Sequence, residues 1–228
     1  MRAVIMGGTS GIGLAAAERL TSANVDVTVT GRDPGRLAAL EGRFAGVERL
    51  DGTDRDAVAA FFKQTGPFEH LVLAFSPGPV GLGPIREISL DDFETAFAAK
   101  LFGYVHAIRQ AEVTESITMI SAASARAALP GTVTLAAVNG AIERMVSPLA
   151  AELAPVRVNA VSPGIIDTPW WSFLPEDQRQ AQFAAAAGSV PAGRIGTAAD
   201  VAGAVAYLIG ATLVTGTILP MDGGFTVA

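Results

Sequence analysis

The chain reads as a single α/β domain, a doubly wound parallel sheet of about seven strands with helices on both faces. Three features predict it. Short apolar runs alternate with helical patterns along all 228 residues, with no linker, internal repeat or low-complexity tail between them. The runs are continuously apolar, as strands buried on both faces require. The first run leads through a glycine-rich turn into the first helix, where folds of this class build phosphate sites.

The elements run in order along the chain. The first strand is expected at 3–6, Ala3-Val4-Ile5-Met6, and the first helix at 11–22. A second apolar run at 25–30 precedes a helix over 34–44. Strand 47–50 leads to helix 54–65, and strand 70–75 to a long helix, 89–112. In that helix Phe93, Phe97, Lys100 and Tyr104 recur at spacings of four, three and four, which is one helical stripe. Strand 116–121 precedes a helix over 131–153, where Leu135, Asn139, Ile142 and Val146 form a second inward stripe. Strand 156–161, a short helix near 175–187, helix 197–209 and strand 217–219 complete the pattern. This alternation implies right-handed crossovers and a parallel sheet.

Composition narrows the function. The chain is 50% hydrophobic, 17% charged and 7% aromatic. That excludes disorder and allows a substantial core in one domain spanning 1–228. A formal net charge of −6, without basic stripes, argues against nucleic acid as a partner. No apolar run reaches the roughly 18–20 residues of a membrane span. The lack of cysteine excludes disulfides, thiolate metal sites and a Cys nucleophile. The two histidines, His70 and His106, are isolated, so no metal is expected. Gly7, Gly8, Gly11 and Gly13 break the apolar start, which reads as strand and turn rather than leader peptide. The expected compartment is the cytoplasm.

The turn itself is Gly7-Gly8-Thr9-Ser10-Gly11-Ile12-Gly13, a G-x-x-x-G-x-G spacing rather than the commoner G-x-G-x-x-G. Glycines permit a tight turn and a close approach of backbone to pyrophosphate. The helix N-terminus adds free N–H groups and partial positive charge. The second strand ends in Thr30-Gly31-Arg32. A free ribose 2′-hydroxyl calls for an acid here, and a 2′-phosphate for a cation. Arg32 therefore favours NADP(H) over NAD(H), while Asp33 beside it keeps NAD(H) open. A solvated arginine opening a helix is the alternative reading.

Together with motifs further along the chain, these residues resemble the short-chain dehydrogenase/reductase family over nearly the whole length. Residues 7–13 match its glycine motif. Asp51 in Leu50-Asp51-Gly52-Thr53 resembles the acid that contacts adenine. Arg157-Val158-Asn159-Ala160-Val161-Ser162-Pro163-Gly164, then Ile165 and Asp167-Thr168, resembles the stretch that meets the nicotinamide. Met221-Asp222-Gly223-Gly224 resembles the closing motif, and Ala74-Phe75-Ser76 stands where the family has N-A-G. The resemblance implies a Rossmann-type fold. Its cofactor-binding set here is Gly7, Thr9, Ser10, Gly11, Ile12, Gly13, Arg32, Asp51, Gly52, Ala74, Pro163, Gly164, Ile165 and Thr168.

The catalytic positions depart from the family. Its proton-transfer groups are Asn, Ser, Tyr and Lys, with Tyr and Lys in Y-x-x-x-K. The matching positions here hold Lys100, Ala122, Leu135 and Asn139. Neither Tyr104 nor Tyr207 is followed four residues on by lysine. Leu135 and Ala122 cannot handle protons, and losing a positioned acid or base costs about 10² to 10⁴ in rate. Lys and Asn have traded places, and both lie on the inward stripes. A partly desolvated Lys100 near a cationic nicotinamide would have a lowered pKa and could donate the proton itself. Alternatively it snorkels to water, or pairs with a carboxylate at a subunit contact. Ser121, Ser124, Thr132 and Thr134 are further hydroxyls that could substitute, though each is more often a turn or cap residue.

The segment 168–197 is expected to cover the substrate with Trp170, Trp171, Phe173, Leu174 and Phe183. With Phe75, Ala122 and Leu135 it implies a pocket for a small apolar or aromatic ligand. Helices 89–112 and 131–153 are the family's usual subunit contacts, so a homodimer or homotetramer is implied. The leading expectation is an NADP(H)-dependent oxidoreductase acting on a small apolar carbonyl or alcohol compound with a non-standard active site. The alternative is a catalytically inactive NADP(H)-binding protein, either a sensor or a subunit of a hetero-oligomer. A non-redox reaction such as dehydration or isomerisation stays open.

Overall fold

The computed structural model describes residues 1–227. Its strands are β1 (Arg2–Met6), β2 (Asp26–Gly31), β3 (Gly46–Arg49), β4 (Phe68–Leu73), β5 (Val113–Ile120), β6 (Arg157–Pro163), β7 (Ile166–Asp167), β8 (Gly196–Thr197) and β9 (Ile218–Met221). Seven of them form one sheet in the order β3-β2-β1-β4-β5-β6-β9, while β7 and β8 pair separately. Every pairing in the main sheet is parallel. This is the Rossmann-type doubly wound sheet that the alternating pattern predicts. The strand order reverses at β1, where Ile5 sits opposite Val29 on one side and Val72 on the other. Such a reversal opens a crevice beyond the carboxyl ends of the strands.

The helices are α1 (Gly11–Ser22), α2 (Pro34–Ala38), α3 (Arg55–Thr65), α4 (Leu90–Ala96), α5 (Gly103–Gln110), α6 (Val133–Glu152), α7 (Glu176–Ser189) and α8 (Ala198–Gly210). Successive strand residues point to opposite faces, and each face of the sheet has its own core. Ala3, Ile5, Val29, Val72 and Val161 pack beneath α1 and α8. Val4, Met6, Leu73, Met119 and Ala160 pack beneath α3, α5 and α6. Burying each Leu or Ile contributes about 1.5–3 kcal/mol, so continuously apolar strands are what a two-sided sheet demands.

Three elements differ from the expected ones. The helix expected over 34–44 closes at Ala38. Beyond it Leu40 N–H donates to the Leu37 carbonyl and Arg43 N–H to Leu40, and Gly42 has φ +75°. Those tighter turns cannot continue an α-helix, yet they still bury Leu37 and Leu40. The long helix 89–112 is continuous but carries a π-helical turn at Phe97–Phe102, between α4 and α5. The small β7–β8 ladder has no counterpart in the sequence pattern. It pairs Ile166 with Gly196 and Asp167 with Thr197, and so joins the two ends of the aromatic segment. Among the described residues, no helix is long and apolar enough to cross a membrane.

Candidate active site at the carboxyl edge of the sheet

A cavity of about 1050 Å³ runs along the carboxyl ends of the strands. Every expected cofactor position except Gly13 lines it. Gly13 is buried under the turn, where a Cβ would run into the Gly7 carbonyl.

The glycine turn is shaped by its neighbours. Gly7 has φ +82°, and a Cβ there would lie 2.6 Å from Phe75 N. Gly7 and Gly8 N–H both donate to the Thr30 carbonyl at 3.1 Å, which ties the turn to β2. Helix α1 begins without a side-chain cap from Ser10 and without an acidic residue in its first turn. Its first N–H groups thus have no side-chain acceptor, and Ser10, Gly11 and Ile12 line the cavity, as an anion site requires. The residues present fit a pyrophosphate.

Beyond β2, Arg32 Nη1 lies 3.8 Å from Asp51 Oδ2. Asp51 Oδ1 accepts from Thr53 N (2.9 Å) and Thr53 Oγ1 (2.8 Å). Burial raises the Asp51 pKa, but the Thr53 bonds and Arg32 outweigh it and hold the carboxyl below its usual value. Arg36, which also lines the cavity, donates from Nη1 to Ser10 Oγ at 3.2 Å. The sequence pattern did not single it out, although its position four residues after Arg32 placed it in range. Two guanidiniums and a hydroxyl thus flank the end of β2, and this suits a 2′-phosphate.

At the centre, Ala74 N–H donates to Met6 O at 2.9 Å. Phe75 sits edge-on to Tyr104, with centroids 4.9 Å apart. It fills the space left by Gly52 and Gly103, where Cβ atoms would lie 2.8 and 2.7 Å from its ring. On the opposite wall Pro163, Gly164 and Ile165 close the end of β6, and a Cβ on Gly164 would lie 2.8 Å from Asp222 Cα.

The structure brings Lys100 and Asn139 together. Lys100 comes from the π turn and Asn139 from α6, and Lys100 Nζ donates to Asn139 Oδ1 at 2.7 Å. Asn139 Nδ2 donates to Leu135 O (2.8 Å) and Ser124 Oγ (3.3 Å). Both amide protons are therefore engaged, and Asn139 acts as a bracket for the amine. Lys100 is 9% exposed and lines the cavity rather than snorkelling to water. Burial pushes its pKa down, and the field of Glu143 pushes it back up, leaving it at about 8. Ala122 and Leu135 line the same wall.

The other hydroxyls divide. Ser121, Ser124 and Thr132 line the cavity; Ser121 Oγ donates to Glu143 Oε1 at 2.9 Å, Ser124 Oγ accepts from Asn139, and Thr132 Oγ1 donates to Leu129 O at 2.8 Å. Thr134 is fully buried, whereas Tyr104 is also on the cavity wall but donates from Oη to Ile120 O at 3.2 Å. His70 lies near the start of β4, with Nδ1 2.9 Å from Ser116 Oγ, and does not line the cavity. His106 is likewise outside it.

The aromatic segment closes one side. Trp170, Trp171 and Phe173 share a 3₁₀ turn at Pro169–Phe173, and their rings pack with centroids 4.8–6.0 Å apart. Trp171 anchors this group by donating from Nε1 to Ile166 O at 3.0 Å and by meeting Phe183 of α7. Trp170, Trp171 and Phe173 line the cavity, while Phe183 sits behind them.

Residues 7–226 match the family model described as Enoyl-(Acyl carrier protein) reductase. The 3-oxoacyl-(acyl-carrier-protein) reductase MabA of Mycobacterium tuberculosis is 32% identical over 233 residues, which cover 97% of this chain and 91% of that protein. The cis-4-hydroxycyclohexanecarboxylate dehydrogenase of Sinomonas cyclohexanicum is 31% identical over 242 residues, covering 98% and 96%. A solved small-chain dehydrogenase in complex with NADPH superposes with a TM-score of 0.86 at 33% identity, covering 100% of this chain and 99% of that one. Likeness of this extent, on a sheet of this order with this glycine turn, makes the chain a member of the short-chain dehydrogenase/reductase family.

Proposed function

We propose that the protein is an NADP(H)-dependent oxidoreductase acting on a small apolar or aromatic carbonyl or alcohol compound, with Lys100 as its proton-transfer group. The observation that carries this reading is the buried amine of Lys100, bracketed by Asn139 on a wall where Ala122 and Leu135 are apolar. NADP(H) is preferred over NAD(H) because Arg32 and Arg36 both line the cavity beyond β2. The crystallised relative with NADPH supports the same choice.

The nicotinamide, when bound, supplies or accepts the hydride. The chain does the rest. The glycine turn and the α1 N-terminus balance the pyrophosphate charge, and Arg32 and Arg36 hold the 2′-phosphate. Trp170, Trp171 and Phe173, within the substrate-covering segment 168–197, exclude water from an apolar ligand. A carbonyl oxygen that gains negative charge takes its proton from Lys100 Nζ. With a pKa near 8 the amine is mostly protonated at neutral pH and close enough to neutrality to give the proton up. In the direction of alcohol oxidation, the neutral amine takes the proton.

A catalytically inactive NADP(H)-binding protein is the second reading. It is favoured by the same loss of hydroxyls at Ala122 and Leu135. NADPH binding measured by fluorescence, then NADPH consumption against aldehydes, ketones and quinones, separates the two. We expect binding and turnover, and Lys100→Met should lower turnover by about 10² to 10⁴ while leaving NADPH binding intact. Binding without turnover across the panel would favour the inactive protein. Unchanged turnover in Lys100→Met would remove Lys100 as the donor.

A further inference from the structure

One helical turn past Asn139 stands Glu143, a carboxylate only 10% exposed, between the fully buried Ile142 and Val146. Three elements converge on it. Ser121 Oγ, after β5, and Ser162 Oγ, in β6, donate to Oε1 at 2.9 and 2.7 Å. Arg126 Nε, after the 3₁₀ turn at Ala123–Ala125, lies 3.4 Å from Oε2. Neither the glycine turn nor the aromatic segment uses this group. A carboxylate so deeply placed needs partners, and the two serines supply hydrogen bonds while the arginine supplies an ion pair. A structural carboxylate would need no cation besides Arg126, yet a second cation stands close by. Asn139 and Glu143 are four residues apart on α6, and so share a face about 5–6 Å apart at Cβ. Asn139 holds Lys100 Nζ at 2.7 Å.

We propose that Glu143 is the positioning residue that keeps a proton on Lys100, so that the amine serves as a proton donor rather than as a nucleophile toward the carbonyl. This rests on Lys100 being the proton-transfer group. A desolvated lysine without a counter-charge loses its proton and presents a lone pair. In an apolar pocket that lone pair adds to a carbonyl carbon. The carbinolamine then loses water, and a C=N bond joins the substrate to the protein. Glu143 opposes this. Its field raises the Lys100 pKa where burial lowers it. Three other charged or titratable groups stand around the pair. Arg126 shares the Glu143 carboxylate. Asp222, after β9, feels Arg126 and is bonded to Thr226 Oγ1. Tyr104, on the same long helix as Lys100, is kept uncharged because burial pushes its hydroxyl far above the usual range.

Lys63 and Lys100 are the only lysines in the chain, which makes the test direct. The intact protein is treated with benzaldehyde and sodium cyanoborohydride across pH 5–10, a range set about the usual span of amine titration. Borohydride-type reduction converts the C=N bond to a stable secondary amine, and mass spectrometry reads the alkylation of each lysine. Exposed Lys63 is the internal reference. In Glu143→Gln the midpoint for Lys100 should fall by about 1–3 pH units, the size of a lost opposite charge, while that for Lys63 stays fixed. Arg126→Met removes the cation that shares the carboxylate and should move the Lys100 midpoint upward, which provides a second reading if Glu143→Gln does not fold. A Lys100 midpoint that stays put in a folded, NADPH-binding Glu143→Gln overturns the proposal. So does one that fails to rise in Arg126→Met. Failure of Lys100 as proton-transfer group looks different: turnover survives Lys100→Met whatever the labelling midpoints do.

Discussion

Arg32 and Arg36 illustrate how two residues of one type divide a task. Arg32 leans toward Asp51, and Arg36 donates to Ser10 at the N-cap of α1. Each contact is exposed and of little value to stability by itself. Their value lies in the positive charge they present together beyond β2. A 2′-phosphate held by either one gains a charge-assisted hydrogen bond of about 1.5–3 kcal/mol. Arg32→Ala and Arg36→Ala should therefore each weaken NADPH by about 10- to 100-fold and leave NADH nearly unchanged, as read by titration of nucleotide fluorescence. Equal weakening of both nucleotides would place the two arginines outside the 2′ site. Gly31 belongs to the same design, because a Cβ there would come within 2.6 Å of Thr9 Cγ2 and close the approach.

At the level of elements, the joint between β8 and α8 shows what a short sequence pattern can fix. Thr197 Oγ1 accepts from Asp200 N–H, and Asp200 Oδ2 accepts from Thr197 N–H at 2.8 Å, which is a closed capping box. Arg194 adds two bonds to the same carboxylate, at 2.8 and 3.0 Å. The Arg194 bonds first, and then the Thr197 bonds, hold the Asp200 carboxyl far below its usual range. A depressed pKa contributes stability above the unfolded value of about 3.9 and loses it as pH falls further. Asp200→Asn should thus cost about 1 kcal/mol at neutral pH, and the gap from the parent should narrow below about pH 4. Urea unfolding at both pH values measures it, and a gap independent of pH would show that the box carries no charge-dependent share. The wider pattern was legible for the same reason: strands and helices such as 54–65 and 197–209 are set by local periodicity and read directly. The π turn at Phe97–Phe102 was not, since its residues keep an ordinary helical stripe and only the backbone widens. The β7–β8 ladder is two residues long on each side and carries no period. Lys100 and Asn139 were legible as inward-facing residues. Their bond was not, nor was the joining of Ser121, Glu143 and Ser162, because these contacts close across separate elements.

For the whole molecule, the cofactor crevice and the hydrophobic core are one structure. The turn at Gly7 is fixed by β2, Phe75 wedges between Gly52 and Gly103, and Gly164 packs on Asp222. Elements from both faces of the sheet thus meet at the site, and a ligand that binds it engages most of the fold. A ligand that binds only the folded state stabilises it by about 2.7 kcal/mol at 100 times its Kd. For a domain of this size each kcal/mol moves the midpoint of thermal unfolding by about 2–4 °C, so saturating NADPH should raise it by about 5–10 °C. The pattern across variants carries more than the rise itself. Lys100→Met should keep the NADPH shift, because the role proposed for the amine is proton transfer and not phosphate binding. Arg32→Ala combined with Arg36→Ala should reduce the shift with NADPH to that seen with NADH at equal concentration. If the double variant kept the full NADPH shift, the two guanidiniums would not be the 2′-phosphate site. If neither nucleotide moved the midpoint of the parent protein, the crevice would not be a dinucleotide site, and the redox reading would fall with it.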